Sequence, residues 1–250
     1  MDLVYGIYTA NDRSDQLTQV STRFYSNPNN ASASNGTRKA LDQIFDKYRT
    51  NPKESPNELD IEGTGKLLED LGIELDNCAA LYFFEFTKSP QLGVITRDGF
   101  TSGPLVDAGC DTPDKIRKHI YDQLITNKGT LEQYKAVYNH TFTLLIEDRK
   151  KAIDLEQAEA FWRILTDSKV GQPWTPQSGT DFLPMWLEFL NSKWQKAVNR
   201  DLWRQTLSFM LKAVEDETLS FWTEESSWPS VIDDFVLWVK VEKRGEAMEE

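Results

Sequence analysis

Two adjacent carboxylates near the C-terminus are the first residues whose types could do chemistry. Asp233 and Asp234 stand in the apolar stretch WPSVIDDFVLW, residues 228–238, and carboxylates can serve as general acid and base. Neighbouring residues of a helix, however, point roughly 100° apart and do not face one site. The spacing therefore speaks against an acid–base pair and favours recognition of another protein.

Two cysteines are the candidate nucleophiles. Cys110 in DAGCDTP comes just before a predicted helix cap, and Cys78 lies in an apolar segment. A catalytic thiolate needs a neighbour that lowers its pKa, usually His or Lys. The two histidines, His119 and His140, lie in amphipathic segments without an accompanying motif. The pattern favours structural thiols, and an enzyme that forms a thioester on Cys110 is kept as an alternative.

A calcium loop is the third candidate site. The segment ELDIEGTGKLLEDLGIELD, residues 58–76, has the character of a helix–loop–helix unit. Counted from Asp60, Glu62 fits the third position and Gly65 the sixth, but the twelfth position is Leu71, where calcium loops require a bidentate Glu. The count predicts an EF-hand-like shape without calcium, with a calcium-binding protein as the alternative.

The charge of the chain limits its partners. There are 40 acidic and 28 basic residues, which give a formal net charge of −12. This excess argues against nucleic acid or an anionic membrane as the main partner, and no apolar run approaches the ~20 residues of a membrane span. A basic protein surface fits better.

One stretch concentrates the acidic residues. Between Lys212 and Lys240 there is no basic residue, and the acids alternate with large aromatic side chains. The acids are Glu215, Asp216, Glu217, Glu224, Glu225, Asp233 and Asp234, and the aromatics are Phe221, Trp222, Trp228 and Trp238. Fixed aromatics beside charge are typical of partner-binding surfaces. We therefore predict an acidic interaction surface, against the alternative of a solvated acidic face.

Helical spacing runs through most of the chain, and the predicted fold class is all-α. In RKALDQIFDKYR the apolar residues fall on one helix face; they are Leu41, Ile44, Phe45 and Tyr48. Thr112-Pro113 predicts a helix start, and TLEQ at 130 and DLEQ at 154 predict capping boxes. LGVIT, residues 92–96, is the best strand signal, so one very short ladder is allowed for.

Composition also divides the chain. NPNNASASNG, residues 27–36, has the composition of a linker. We expect an N-terminal segment over residues 1–36, one domain over 37–243 and a polar tail over 244–250. The loop SKVGQPWTPQSGTD, residues 168–181, is irregular and has no assigned function.

The residues of WPSVIDDFVLW resemble the segment that closes the potentiating-neddylation domain of the defective-in-cullin-neddylation family. Further segments resemble that domain in the same order and extend the resemblance to about residues 38–240. They are LDQIFDKYR, LDIEGTGKLLEDLGIE, DAGCDTPDKI, YNHTFTLLIEDRKKAIDLEQAEAFWRIL and RDLWRQTLSFM. As an ordered set these matches are specific.

The resemblance implies an all-α domain of two EF-hand-like subdomains without calcium, with no metal or other cofactor. It implies a scaffold-type co-ligase without catalytic residues, which promotes transfer of a ubiquitin-like modifier to a cullin. Its partners would be the C-terminal winged-helix region of cullin, the neddylation E2 with an acetylated N-terminal Met, and the RING subunit. Residues 1–36 would then be the remnant of a ubiquitin-binding-like module plus the linker. We expect a monomer located in cytoplasm and nucleus.

The resemblance also implies two sets of site residues. The cullin-binding set is Asp201, Ser227 and Asp233, with Ser227 where the family carries Ala. The set that binds the E2 N-terminus is Ile61, Thr64, Tyr82, Gln91, Leu92, Ile95, Leu144, Phe161 and Ile164. The alternative function is an EF-hand-like calcium-binding domain or an acidic interaction domain without a role as ligase.

Overall fold

The computed structural model describes residues 28–50, 55–122, 130–167 and 171–245. Helices dominate these residues, and the prediction of an all-α fold is confirmed. The first half contains α1 (Pro28–Tyr48), β1 (Glu58–Leu59), α2 (Ile61–Asp70), α3 (Cys78–Phe86), β2 (Ile95–Thr96), α4 (Arg97–Phe100), α5 (Pro104–Asp107) and α6 (Pro113–Tyr121). None of the described helices is both long and apolar enough to cross a membrane.

The second half repeats the alternation of helices with very short strands. It contains α7 (Leu131–Leu145), β3 (Ala152–Ile153), α8 (Leu155–Leu165), α9 (Phe182–Phe189), β4 (Val198–Asn199), α10 (Arg200–Glu215) and α11 (Ser230–Trp238). Two π-helical turns continue α9 and α11, over Leu190–Trp194 and Val239–Lys243.

Among the described residues, two antiparallel ladders rather than one join the helices in pairs. Strand β1 pairs with β2, with Leu59 opposite Ile95, and β3 pairs with β4, with Ile153 opposite Val198. The first ladder uses the end of the predicted strand at residues 92–96. The second was missed because strands of two residues carry no alternation of apolar and polar positions. The likeness of the paired units to EF-hands stays a prediction.

The predicted helix starts are mostly confirmed. The hydroxyl of Thr112 accepts from the Lys115 N–H at the start of α6, and both bonds of the capping box between Thr130 and Gln133 are present at α7. The capping box predicted for DLEQ is wrong, because the Asp154 side chain makes no capping bond to α8. Asp154 is exposed, so water can satisfy the first N–H groups of that helix.

Residues 28–36, which were predicted to be a linker, instead form the first turns of α1. Pro28 stands at the first helical position, where the missing N–H is no loss. Further along, Leu41 and Phe45 are fully buried, as predicted. Once a helix is anchored in this way, each added residue gains a hydrogen bond without the cost of nucleation. Residues 1–27 and 246–250 lie outside the described residues, and the domain boundaries stay predictions.

A cluster of buried tryptophans forms the core of the second half. Trp162 of α8 stacks on Trp203 of α10, with ring centroids 5.2 Å apart and planes 10° from parallel. Trp186 of α9 meets Trp162 edge-on at 6.0 Å. The fourth member, Trp174, comes from the irregular loop and packs 6.3 Å from Trp162. The described part of that loop therefore fills the core rather than standing free of it.

Trp174 should be essential to stability, because its side chain is only 1% exposed and truncation would leave a large cavity. We expect Trp174→Ala to lower the free energy of unfolding by about 3–5 kcal/mol, measured by urea unfolding. Exposed Gln177 in the same loop is the control, and Gln177→Ala should stay within about 0.5 kcal/mol. A loss below about 1 kcal/mol for Trp174→Ala would show that the loop does not support the core.

Candidate functional site

The two adjacent aspartates of α11 face different surroundings. Phe235 anchors the helix, fully buried, with its ring edge-on to Trp186 at 5.0 Å. Asp233 is half-buried, and its Oδ1 accepts a hydrogen bond from Trp222 Nε1 at 2.8 Å. Asp234 is exposed and lines a cleft of about 330 Å³ on another side of the helix. The structure agrees with the expectation that the two carboxylates do not form one site.

The aromatics of the acidic stretch differ in burial: Trp222 and Trp238 pack inward, whereas Phe221 and Trp228 are half-buried. Trp222 and Trp238 are 8% and 7% exposed. The lysines that border the stretch also fold back onto it: Lys212 Nζ lies 5.6 Å from the Phe221 ring centroid, and Lys240 Nζ lies 5.0 Å from that of Trp222. These contacts cover part of the aromatic surface, whereas Asp201 and Asp234 remain exposed.

The three residues predicted to bind cullin lie on neighbouring elements. Asp201 is exposed in the first turn of α10, and Ser227 is exposed just before Trp228. Phe209 of α10 contacts the Trp228 ring at 5.5 Å and the Phe235 ring at 6.1 Å, so one side chain ties together the segments around Ser227 and Asp233. Asp201 lies eight residues before Phe209, roughly 12 Å along the helix axis.

The charges of this surface are not neutralised by ion pairs among the residues that the structure describes. Among the ion pairs formed by the described residues, none involves Asp201, Asp233 or Asp234. The carboxylates are therefore available to cations from outside the chain.

The nine residues predicted for the apolar pocket divide by burial. Those in the core are Thr64, Tyr82, Ile95 and Leu144; those half-buried on α8 are Phe161 and Ile164; those exposed are Ile61, Gln91 and Leu92. Burial of Thr64 leaves its hydroxyl without a hydrogen-bond partner among the described residues. Sequence similarity could name these residues, but it could not tell which of them reach the surface.

A turn brings part of this set together. Gln91 and Val94 form a single bridge, and Gly93 between them has a φ of 80°, which glycine adopts without strain. A β-carbon at position 93 would lie 3.2 Å from Ile61 Cγ1, so Ile61 packs closely on this turn. The Leu92 N–H donates to the Leu144 carbonyl at 3.2 Å. Ile61, Leu92 and Leu144 thus meet where α2, the turn and the end of α7 converge.

The calcium alternative is contradicted by the conformation of the segment. Residues 61–70 form helix α2, so the positions counted from Asp60 run along a helix and cannot surround an ion. Asp60 is the N-cap, with Oδ1 accepting from the Gly63 N–H at 2.8 Å and Oδ2 from the Thr50 hydroxyl. These bonds, chiefly the one from Thr50, lower the pKa of Asp60.

The thioester alternative lacks an activated thiol. Cys110 is 1% exposed and Cys78 is fully buried. Burial raises the pKa of Cys110 to about 11 and that of Cys78 to about 12. Because the thiolate is the nucleophile, both thiols are almost wholly protonated near neutral pH.

Comparison with known proteins decides the family. The chain is 36% identical over 228 residues to a protein of Pyricularia oryzae called defective in cullin neddylation protein 1, an alignment that covers 87% of this chain and 80% of that protein. The chain belongs to the defective-in-cullin-neddylation family. A relative of the same name from Yarrowia lipolytica is 28% identical, over 79% of this chain and 77% of the relative. DCN1-like protein 4 of Danio rerio is 27% identical, over 72% and 59% respectively.

A family model described as Cullin binding matches residues 115–238. The match begins in α6, ends with α11 and includes the three residues of the acidic surface. Ile61, Thr64 and the turn at Gly93 of this member of the defective-in-cullin-neddylation family lie before the range that the family model matches.

Burial of both thiols predicts their reactivity. In the native chain at pH 8 we expect neither Cys78 nor Cys110 to react appreciably with a colorimetric thiol reagent over minutes, because neither is accessible or ionised. The same sample in denaturant should titrate two thiols, which is the internal control. One native thiol that reacts as fast as free cysteine would restore the alternative of a nucleophilic cysteine.

Proposed function

We propose that this chain is a non-catalytic scaffold of cullin neddylation, which holds cullin with one surface and the neddylation E2 with another. The observation that carries the proposal is the pair of carboxylates of Asp201 and Asp233, which form no ion pair with any described residue and lie within the range matched by the Cullin binding model. The names of the relatives point to cullin neddylation as the process.

The cullin surface that we propose consists of Asp201, Ser227 and Asp233, which we call the acidic patch. A basic surface of the cullin C-terminal winged-helix region would meet it, and complementary charge would mainly set the association rate and the register. The formal net charge of −12 favours such a partner over long range. Ser227 is small and exposed, so it would not obstruct a side chain of the partner.

The E2 surface that we propose is centred on the exposed Ile61 and Leu92, with the buried Leu144 behind Leu92, and it includes the half-buried Phe161 and Ile164. Ile61 is 72% exposed and Leu92 is 40% exposed, and large apolar side chains so exposed favour an apolar ligand. Burial of the N-terminal Met side chain of E2 would contribute roughly 1.5–3 kcal/mol. Acetylation of that Met removes the cost of burying a charged amine.

The mechanism that we propose is positional. Two binding sites on one body raise the effective concentration of E2 beside cullin, and a fixed orientation lowers the barrier without a catalytic group on the scaffold. The thioester chemistry would belong to E2 and the RING subunit. The protonated, buried state of both cysteines supports this division of roles.

Charge reversal in the acidic patch should abolish the cullin contact. We expect Asp201→Arg and Asp233→Arg each to weaken binding of a cullin winged-helix fragment by at least about 30-fold in calorimetry, since charge reversal sets like charges against each other across the interface, which costs several kcal/mol. The control is Asp114→Arg, which reverses an exposed carboxylate in the first turn of another helix. Unchanged binding by both patch variants, with the fold intact, would refute this surface.

The apolar site should bind the acetylated N-terminus of E2 in preference to the unacetylated one. We expect an acetylated N-terminal E2 peptide to bind more tightly than the unacetylated peptide, and Ile61→Ser to weaken the acetylated peptide by about tenfold through loss of apolar contact. Leu75→Ser is the control, because Leu75 is another large apolar residue at 60% exposure. Equal losses in the two variants would argue for non-specific hydrophobic binding.

A further inference from the structure

The Asp233 carboxylate is restrained before any partner arrives. Trp222 Nε1 donates to Asp233 Oδ1 at 2.8 Å across a gap of 11 residues in sequence. We propose that Trp222 is a positioning residue for cullin recognition: its indole N–H holds Oδ1 of Asp233, so that Oδ2 is presented to a cation of the partner. This inference rests on the proposed role of the acidic patch.

Trp222 is itself held on several sides. Its side chain is 8% exposed, and Lys240 Nζ lies 5.0 Å from its ring centroid. Its backbone N–H donates to the Leu219 carbonyl at 3.1 Å, in a turn where Leu219 is buried and has a φ of 61°. Leucine rarely takes this left-handed conformation, so the surrounding contacts must impose it.

Asp216 closes that turn, although composition grouped it with the surface acids. Its two carboxylate oxygens accept four hydrogen bonds, from the backbone N–H and hydroxyl of Thr218 and from those of Ser220. These bonds, with the Ser220 hydroxyl first, lower the pKa of Asp216 to about 2. Asp216 therefore fixes the turn that aims Trp222, and Trp222 fixes Asp233.

Lys240 completes the arrangement. It lies seven residues after Asp233, two helical turns further on the same side of α11 and its continuation, and it covers the Trp222 ring. No ion pair between Lys240 and Asp233 occurs among the residues that the structure describes. Asp233 thus has a neutral donor, which orients the carboxylate and leaves its charge for a basic partner.

Preorganisation of one side chain has a measurable size. An interfacial side chain that must be immobilised on binding costs about 0.5–1.5 kcal/mol, which corresponds to about a 2- to 12-fold change in Kd. Trp222→Phe keeps an aromatic ring beneath Lys240 and removes the N–H together with part of the ring, and the Asp233→Ala background separates the two effects. We expect Trp222→Phe to weaken binding of a cullin winged-helix fragment by about 2- to 12-fold in calorimetry. In a chain that already carries Asp233→Ala, we expect Trp222→Phe to have no further effect on Kd.

The control for this substitution is Trp194→Phe, which removes an indole N–H from a half-buried tryptophan on a different element and should leave Kd unchanged. If Trp222→Phe lowers the affinity equally in the wild-type and the Asp233→Ala background, the inference is overturned, because the effect would not depend on Asp233. No loss in either background would overturn it as well. If Asp233→Ala alone leaves Kd unchanged, both this inference and the proposed cullin surface fail.

A second measurement uses the unaltered indole, in case Trp222→Phe perturbs folding. Hydrogen exchange of the Trp222 indole N–H, followed by NMR, should be slower in the wild-type chain than in Asp233→Ala. Equal exchange rates would show that the bond does not form in solution and would contradict the proposal independently of cullin.

Discussion

A hydrogen-bonded network of three buried aromatic side chains holds the second half of the molecule together. The Tyr138 hydroxyl accepts from Trp162 Nε1 at 2.7 Å and donates to the Trp203 carbonyl at 2.9 Å, while Trp203 Nε1 donates to the Tyr138 carbonyl at 2.9 Å. Trp162 and Trp203 also stack on each other. Burial without a partner would cost each polar group free energy, so this network permits one arrangement of α7, α8 and α10.

Each proposed surface takes some of its residues from these three helices, so the network ties the two surfaces to one core. Asp201 precedes Trp203 by two residues, and Phe161 directly precedes Trp162. Helix α11 joins through Phe235, whose ring meets the same tryptophan cluster. A scaffold that lowers a barrier by orientation needs such stiffness, since a small misplacement of reacting groups can cost a large factor in rate.

Long periodic segments were predictable because burial of one helix face leaves a regular trace in sequence. Phe45 in α1 is an example. The capping box at Thr130 was predictable for a similar reason, since its two residues are only three positions apart in sequence. Features that depend on contacts between distant segments left no such trace. The two-residue ladder β3–β4, the insertion of Trp174 and the bond from Trp222 to Asp233 all belong to this class. The family resemblance indicated the candidate site residues, but only the structure shows that Ile61 is exposed whereas Thr64 and Tyr82 are buried.

Bridging by one scaffold is tested most directly by a single-turnover assay of modifier transfer from the E2 thioester to cullin, with scaffold concentration as the variable. If each scaffold molecule must hold both partners, the rate should rise, pass through a maximum and fall when separate scaffold molecules occupy cullin and E2. A rate that rises to a plateau and stays there at high scaffold concentration would contradict bridging, and would indicate that the chain activates one partner alone.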